Sequence, residues 1–174
     1  EQEADDVLSK LDKHFMIDSI ETKQKAKKAK PPYITSTLQQ DAVNKLNMPS
    51  KKTMSVAQKL YEGVDLENET VGLITYMRTD SVRLSDEFIA SGYKYIEQEY
   101  GKEYVGYAKV SKKKENVQDA HEAIRPTSIL RTPEKVKKYL SNDEYKLYSM
   151  IYARALASIM ADAKVNATTV ILDN

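Results

Sequence analysis

The sequence contains no cysteine and no long apolar run, and each absence excludes a class of function. Without cysteine, the chain cannot form a disulfide, attack a substrate with a thiolate or bind zinc through sulfur. No apolar stretch approaches the roughly 20 residues of a membrane-spanning helix, and no secretory signal precedes the first acidic residues. The net charge of +1 does not by itself indicate a nucleic-acid partner. We therefore expect a protein with no membrane partner and a cytoplasmic location.

The composition is that of an ordinary globular protein. The 174 residues are 41% hydrophobic and 30% charged, which suits one domain or a little more with a real core. Two lysine-rich stretches stand out within this average. The first contains Lys23, Lys25, Lys27, Lys28 and Lys30, and the second is Lys112-Lys113-Lys114. Each stretch is either a solvated linker or loop, or a region that attracts phosphate.

The two ends of the chain carry the pattern of strands. His14–Glu21 is strand-like, and Val165–Asn174 is a β-branched run with no terminating signal. We predict that these segments pair antiparallel and that everything between them is an insertion. Because the first residue is not methionine and the last run has no stop, we expect a fragment of a longer protein.

The region between the ends indicates helices around one short strand. A capping box at Ser36 and Gln39 predicts the first helix, and Ser141 with Glu144 predicts the longest helix, at the centre of the core. The other predicted elements are a helix closed by Gly63 with Met54, Ala57, Leu60 and Tyr61 inward, a strand at Val71–Thr75, a helix capped by Ser85, and a short helix from Thr132 to Leu140. The first two helices form either a helix-turn-helix or an ordinary helical hairpin.

The run Leu73–Ser81 places a tyrosine beside a cation and several hydroxyls. A phenol is a poor nucleophile at neutral pH unless cations or hydrogen-bond donors stabilise its oxyanion. Arg78 keeps its charge and can hold phosphate oxygens in a planar fork. If the backbone stays extended past Tyr76, Arg78 lies on the same face. Asp80 is either an orienting partner for an arginine or hydroxyl, or a turn cap.

Two further blocks carry candidate functional residues. In Gln118–Thr127, His121 and Arg125 are four residues apart and would share one face of a helix that Pro126 ends. A protonated histidine and an arginine together make an anion site, and the histidine would make binding sensitive to pH. A structural hydrogen bond is the other use of such a histidine. The third block is Pro32–Gln40.

These three blocks, in this order, resemble the signatures of the type IA DNA topoisomerases. Ile74–Ser81 is similar to the active-site tyrosine signature, Gln118–Thr127 to the second signature, and Pro32–Gln40 to the segment that opens the tyrosine-bearing domain. The resemblance extends from Pro31 to about Val170. It is closer to bacterial topoisomerase I than to topoisomerase III, which usually has proline where this chain has Met77.

The resemblance implies a fold and a set of site residues. The fold class is mainly α (α+β): a compact helical domain with helix-turn-helix-like elements, plus a short antiparallel β pair. Residues 1–30 would be an incoming strand and basic linker from a neighbouring arch domain, 31–163 the active-site tyrosine domain, and 164–174 the returning arch strand. By position, Tyr76 matches the nucleophile and Arg78 the residue that positions the scissile phosphate. The DNA-binding residues would be Thr75, Thr79, Asp80, Ser81, His121 and Arg125.

The resemblance also implies the reaction and its partners. The tyrosine of such enzymes attacks one DNA strand, forms a 5′-phosphotyrosyl intermediate, lets a strand pass and reseals the break, which relaxes negative supercoils without ATP. Its Mg²⁺ site lies in a separate N-terminal domain with a glutamate and an Asp-x-Asp pair, and this sequence has no Asp-x-Asp. We therefore expect no metal site in this chain. The partners would be DNA, preferably single-stranded, and the other domains of the same polypeptide; the location would be cytoplasmic at the nucleoid.

Two alternatives remain open. A non-catalytic DNA-binding module could use Tyr76 to stack on an unpaired base. A tyrosine recombinase also combines tyrosine with arginine and histidine, but it places the tyrosine after its His-x-x-Arg element. Here Tyr76 precedes His121, and Arg125 is one residue too far along. If the chain is part of a topoisomerase, we expect the isolated fragment to bind single strands without relaxing supercoiled DNA.

Overall fold

The computed structural model describes residues 2–11, 14–106 and 121–173. It divides the chain into two units, one formed by residues 1–28 with 162–174 and the other by residues 29–161. The second lysine cluster, Lys112–Lys114, lies outside the described residues, as does the Gln118–Ala120 part of the second block. The assignment of the first unit to an arch domain stays a prediction.

The first unit is an antiparallel ribbon preceded by a short helix. Helix α1 spans Gln2–Leu8, strand β1 spans Met16–Lys27, and strand β4 spans Ala163–Asp173. The strands pair along their whole length, with a register shift between Ile17 and Ser19. The antiparallel pairing predicted from the sequence is confirmed. Both faces of the ribbon are exposed.

The ribbon is longer than the sequence pattern indicated. Lys23, Lys25 and Lys27, predicted to lie in a linker, belong to strand β1 and face residues of β4 across the ladder. A strand that is exposed on both faces loses the apolar–polar alternation by which a strand is recognised in a sequence. The backbone pairing continues regardless, because it depends on the main-chain groups and not on the side chains.

Among its described residues, the second unit contains five α-helices and a small hairpin whose two strands have two residues each. The helices are α2 Thr35–Leu46, α3 Ser50–Glu62, α4 Asp86–Glu99, α5 Pro133–Val136 and α6 Asn142–Ser158. Strands β2 Val64–Asp65 and β3 Thr70–Val71 form the hairpin, and 3-10 turns lie at Lys102–Tyr104 and Lys137–Tyr139. The mainly helical α+β fold predicted from the sequence is confirmed.

Helix α6 lies at the centre of the core, as predicted. Its capping box is present: the Ser141 hydroxyl accepts from the Glu144 amide, and the Glu144 carboxylate accepts from the Ser141 amide at 2.8 Å. The phenols of Tyr148 and Tyr152 donate to backbone carbonyls, and burial raises the pKa of both. The buried residues of the helix are Leu147, Tyr148, Ile151, Tyr152, Ala155 and Leu156.

Helices α2 and α3 form the predicted pair, with two local corrections. Helix α2 begins at Thr35, so Ser36 is already inside the helix and the capping box predicted there is wrong. Helix α3 ends at Glu62 and is followed by Gly63, whose φ of 148° favours glycine. Tyr61, predicted to face inward, is 40% exposed.

A partly buried ionic network joins α2 to α6. The Arg154 guanidinium contacts the Asp41 carboxylate at 2.6 Å and lies 4.3 Å from the centre of the Tyr33 ring. Burial, and then the hydrogen bond to Asp41, raise the pKa of Tyr33 to about 12. Burial acts to raise the pKa of Asp41 as well, but hydrogen bonds from Lys45, Tyr33 and Arg154 hold it well below its ordinary value. The network fixes the start of the unit against its central helix.

Two sequence predictions near the candidate site are wrong. The strand predicted at Val71–Thr75 pairs only at Thr70–Val71, and Ile74 then forms a single bridge with Pro126. Residues 121–125 are not helical. The Ile124 amide donates to the Tyr33 carbonyl at 2.8 Å, so this backbone is committed to distant partners. The proline that follows also disfavours a helical conformation at residue 125.

Candidate active site around Tyr76

The segment that carries Tyr76 alternates exposed and buried side chains. Tyr76 is 42% exposed, Arg78 and Asp80 are exposed, and Met77 and Thr79 between them are buried. The alternation occurs although the backbone bends at Thr75, Met77 and Arg78 and forms no regular strand. The buried residues anchor the segment in the core. The tyrosine, the arginine and the aspartate are therefore presented to solvent from one anchored piece of backbone.

Thr75 holds the segment on the side that precedes Tyr76. The Thr75 amide donates to the Arg125 carbonyl at 2.9 Å, and the Arg125 amide donates to the Thr75 hydroxyl at 3.0 Å. The same hydroxyl donates to the Ala123 carbonyl at 2.7 Å. The Thr75 hydroxyl is thus engaged inside the protein. It positions the backbone next to the tyrosine.

Thr35 holds the segment on the side that follows Tyr76. Its hydroxyl accepts from the Thr79 amide at 2.9 Å and can donate to the carbonyl of Met77, at 2.8 Å, or of Thr79, at 3.0 Å. The Thr35 amide donates to the Thr79 carbonyl at 2.9 Å. The three residues Tyr76–Arg78 are therefore held on one side by Thr75, which bonds to Ala123 and Arg125, and on the other side by Thr35 of α2. Thr35 belongs to the Pro32–Gln40 block, but no pattern in the sequence predicted this role for it.

A cleft of about 400 Å³ lies beside this segment. The cleft is lined by Ile34, Thr35, Ser36, Arg78, Thr79, Asp80 and His121. Within the described part of the chain, the Arg78 and His121 side chains make no hydrogen bond or ion pair. The N-terminus of α2 adds partial positive charge, and Asp80 adds the one carboxylate of the lining. The cleft therefore offers the Arg78 cation and further hydrogen-bond donors of the kind that hold a phosphate.

Tyr76 lies outside the lining of this cleft and against a second tyrosine. The rings of Tyr76 and Tyr61 meet edge to face, with centroids 5.3 Å apart and planes at 60°. Among the described residues, the Tyr76 hydroxyl makes no hydrogen bond. Tyr61 was missed as a site residue because helical periodicity predicted it to face the core.

Arg125 differs from its expected environment. Its side chain is only 12% exposed, and it forms an ion pair with Glu122 at 2.7 Å. Its Nη1 donates to the Pro126 carbonyl, and its Nη2, which also pairs with Glu122, donates to the Ser85 hydroxyl. The guanidinium lies 4.7 Å from the centre of the Phe88 ring. These contacts are those of a residue that ties the 122–126 segment to α4. Contact with DNA stays a prediction for Arg125.

Thr79 and Ser81 use their hydroxyls in local turns. The Thr79 hydroxyl accepts from the Ser81 amide at 3.1 Å, and the Ser81 hydroxyl accepts from the Arg83 amide at 3.2 Å. Their predicted DNA contacts are untested by this geometry. Of the predicted site residues, the cleft brings together Arg78, Thr79, Asp80 and His121. It does not bring in Tyr76, Thr75, Ser81 or Arg125.

The described residues contain neither a metal-binding cluster nor a membrane-spanning helix. Across residues 2–11, 14–106 and 121–173, no three His, Asp or Glu side chains converge in a way that could hold a metal ion. No helix in the same ranges is long and apolar enough to cross a bilayer.

Comparison with known proteins identifies the family. A family profile described as DNA topoisomerase matches residues 1–174. The proteins named DNA topoisomerase 1 from Rickettsia felis and Rickettsia prowazekii are each 50% identical over 163 residues, which cover 92% of this chain and 21% of theirs.

A comparison with solved structures indicates the same family. Full-length topoisomerase I from Thermotoga maritima superposes with a TM-score of 0.80 at 38% identity, covering 99% of this chain and 27% of that one. The chain thus spans about a fifth of the length of the curated relatives it matches. The resemblance found in the sequence is confirmed: the chain belongs to the DNA topoisomerase family.

Proposed function

We propose that this chain is the nucleophile-bearing part of a longer type I DNA topoisomerase. In this proposal, the Tyr76 oxygen attacks a backbone phosphorus of one DNA strand. A bond forms between that oxygen and phosphorus, the bond from phosphorus to the 3′-oxygen breaks, and the 3′-oxygen leaves with a proton. The attacking phenol loses its proton, and the 5′-phosphate stays on the tyrosine. The reverse attack by the 3′-hydroxyl reseals the strand without ATP.

The observation that carries this proposal is that Tyr76 and Arg78 are exposed on a backbone segment that hydrogen bonds fix on both sides. Both side chains are exposed, while Thr35 and Thr75 fix the backbone on either side by hydrogen bonds. Because these bonds fix the backbone, only the Tyr76 side chain has to adopt the right rotamer before it attacks. Arg78 supplies a permanent charge in the same segment, beside the cleft that also contains His121. This arrangement suits a phosphodiester with Arg78 on a phosphate oxygen.

Relaxation of supercoils is proposed for the longer polypeptide and not for this chain alone. Strand passage needs a gate that holds the broken ends, and this chain spans about a fifth of its relatives' length. The Mg²⁺ implied by the resemblance has no proposed ligand here, since no described group of three acidic or histidine side chains could hold it. The chain is expected to bind single-stranded DNA, with Arg78 and His121 as the contacts of the unit formed by residues 29–161.

A second candidate function has one observation in its favour. Tyr61 and Tyr76 form an exposed aromatic pair, and such pairs stack on unpaired bases in proteins that bind single strands without chemistry. The two functions differ in what the Tyr76 hydroxyl does. Stacking needs the ring alone, whereas attack on phosphorus needs the oxygen.

The Tyr76→Phe variant of the full-length protein tests the choice. It keeps the ring and removes the oxygen, so we expect cleavage of a labelled single strand to disappear while binding of the same strand stays close to the wild-type level. Tyr104→Phe is a matched control, because Tyr104 is similarly exposed at 47%. Full cleavage by Tyr76→Phe would exclude Tyr76 as the nucleophile. Absence of cleavage in the wild type would favour the stacking module.

A further inference from the structure

Tyr61 occupies a place next to the proposed nucleophile that its position in α3 does not explain. It lies in the last turn of α3, where Leu60 beside it is fully buried. The Tyr61 ring instead remains 40% exposed and meets the ring of Tyr76 edge to face.

The backbone around this pair is closely fitted. The Leu73 amide donates to the Leu60 carbonyl at 2.7 Å, which joins the end of α3 to the segment that leads to Tyr76. Gly72 approaches the same helix end so closely that a Cβ on it would lie 2.5 Å from the Tyr61 carbonyl oxygen. The spacing between Tyr61 and the Tyr76 segment is therefore set by the main chain. The ring contact is a consequence of this fixed spacing.

The side chain of Tyr76 has few other constraints. Its backbone is held by Thr75 and Thr35, but rotation about its own side-chain bonds is not restricted by those hydrogen bonds. Within the described residues the hydroxyl makes no hydrogen bond, and the Tyr61 ring is a contact that can favour one rotamer. Edge-to-face pairs favour the paired arrangement by a factor of roughly 2 to 10 beyond the effect of burial.

We propose that Tyr61 is a positioning residue for Tyr76: its ring holds the Tyr76 ring in the rotamer from which the phenol oxygen reaches the scissile phosphate. This role rests on the proposed function of Tyr76. The contact depends on the Tyr61 ring and not on its hydroxyl. Loss of the ring lowers the fraction of Tyr76 that is ready to attack, and so slows cleavage without weakening DNA binding.

The first measurement uses this chain with its tyrosine rings isotopically labelled. The ring-proton resonances of Tyr76, assigned by their loss in Tyr76→Phe, should shift in Tyr61→Leu because the neighbouring ring current is removed. In Tyr61→Phe, which keeps the neighbouring ring, the Tyr76 resonances should remain close to their wild-type positions. Tyr104→Leu is the matched control, because Tyr104 is similarly exposed and contacts another tyrosine, Tyr100. If Tyr61→Leu unfolds, Tyr61→Met takes its place as an unbranched, adaptable apolar residue.

The second measurement is the single-turnover cleavage rate of the full-length protein. Tyr61→Leu should cleave roughly 2 to 10 times more slowly with unchanged affinity for the strand, and Tyr61→Phe should restore the rate. Unshifted Tyr76 resonances in Tyr61→Leu would overturn the contact. An unchanged cleavage rate, or an equal loss in Tyr61→Phe, would overturn the positioning role. Failure of the wild type to cleave would instead refute the proposed function, and the positioning role with it.

Discussion

Replacing Thr35 by valine tests whether the segment around Tyr76 is held as the structure indicates. Valine has the shape of threonine but neither accepts nor donates a hydrogen bond. The change would leave the Thr79 amide without the acceptor that it has at 2.9 Å, and the Met77 carbonyl without the donor that it has at 2.8 Å. Met77 is buried and Thr79 is 9% exposed, so water has only limited access to the groups that the hydroxyl satisfies.

The expected cost follows from the burial of these groups. A buried polar group left without its partner costs about 1–3 kcal/mol, more than the net value of the hydrogen bond itself. With a urea dependence of about 2 kcal/mol per molar for a domain of this size, the unfolding midpoint should fall by about 0.5–1.5 M. The loss should be confined to the unit of residues 29–161, in which Thr35 lies.

Tyrosine fluorescence can follow that unit by itself. All 12 tyrosines lie between residues 33 and 152, and the chain has no tryptophan to obscure their emission. Urea titrations of the wild type, Thr35→Val and Thr35→Ser would give the three midpoints. Thr35→Ser is the matched control, because it keeps the hydroxyl and removes only a methyl group.

Two outcomes would count against this role of Thr35. A midpoint for Thr35→Val within about 0.2 M of the wild type would mean that the hydroxyl does not support the buried backbone. A loss in Thr35→Ser as large as that in Thr35→Val would assign the effect to the methyl group. If the hydroxyl holds the segment, serine should retain most of the stability and valine should not.

The remaining predictions concern charge and pH. Arg78→Ala should slow cleavage by the full-length protein about tenfold or more, and Arg78→Lys less, as measured by single-turnover cleavage. In the folded protein the pKa of Asp41 lies below its ordinary value of 3.8, so the stabilising effect of this carboxylate is present above about pH 4 and is lost on acidification. The unfolding midpoint of Asp41→Asn should therefore depend less on pH than that of the wild type. This chain should bind labelled single strands more weakly at the higher of two salt concentrations. At either concentration its affinity for single strands should exceed its affinity for duplex DNA. The chain with Mg²⁺ should not relax a supercoiled plasmid on a gel, and relaxation that disappears in Tyr76→Phe would contradict this.

The elements set by local chemistry could be predicted from the sequence. The Ser141–Glu144 capping box, the Ser85 cap and the glycine after α3 all depend on residues within one turn of a helix end, and all are present. The pairing of the terminal strands was also recognisable, because both ends carry β-branched runs. Helix α1 has acidic residues in its first turn but no buried residue, so no apolar periodicity marked it.

The errors arose where distant segments compete with local preference. His121–Arg125 has helical spacing, but the amides of Ala123 and Ile124 donate to the carbonyls of Arg83 and Tyr33, and these bonds exclude a helix. The same competition moved Arg125 from an expected surface position into an ion pair with Glu122. No spacing rule indicates such backbone contacts, since their partners lie about 40 to 90 residues away.

The site could be predicted in part for a related reason. The residue types of Ile74–Ser81 predicted a nucleophile and its cation, roles that stay predictions, and the structure exposes both Tyr76 and Arg78. The supporting contacts from Thr35 and Tyr61 come from other elements. A threonine at the start of a helix or a tyrosine at its end carries no sign in the sequence that it reaches across to a second segment.

The attachment of DNA to Tyr76 is the most direct test of the proposed function. The full-length protein would be trapped on a single strand labelled at either end and digested, and the modified peptide identified by mass spectrometry. We expect the 5′-phosphate of the cleaved strand to be joined to the Tyr76 oxygen and the adduct to be absent in Tyr76→Phe. Attachment through the 3′-phosphate, attachment to a different tyrosine, or no adduct under cleavage conditions would contradict the proposal.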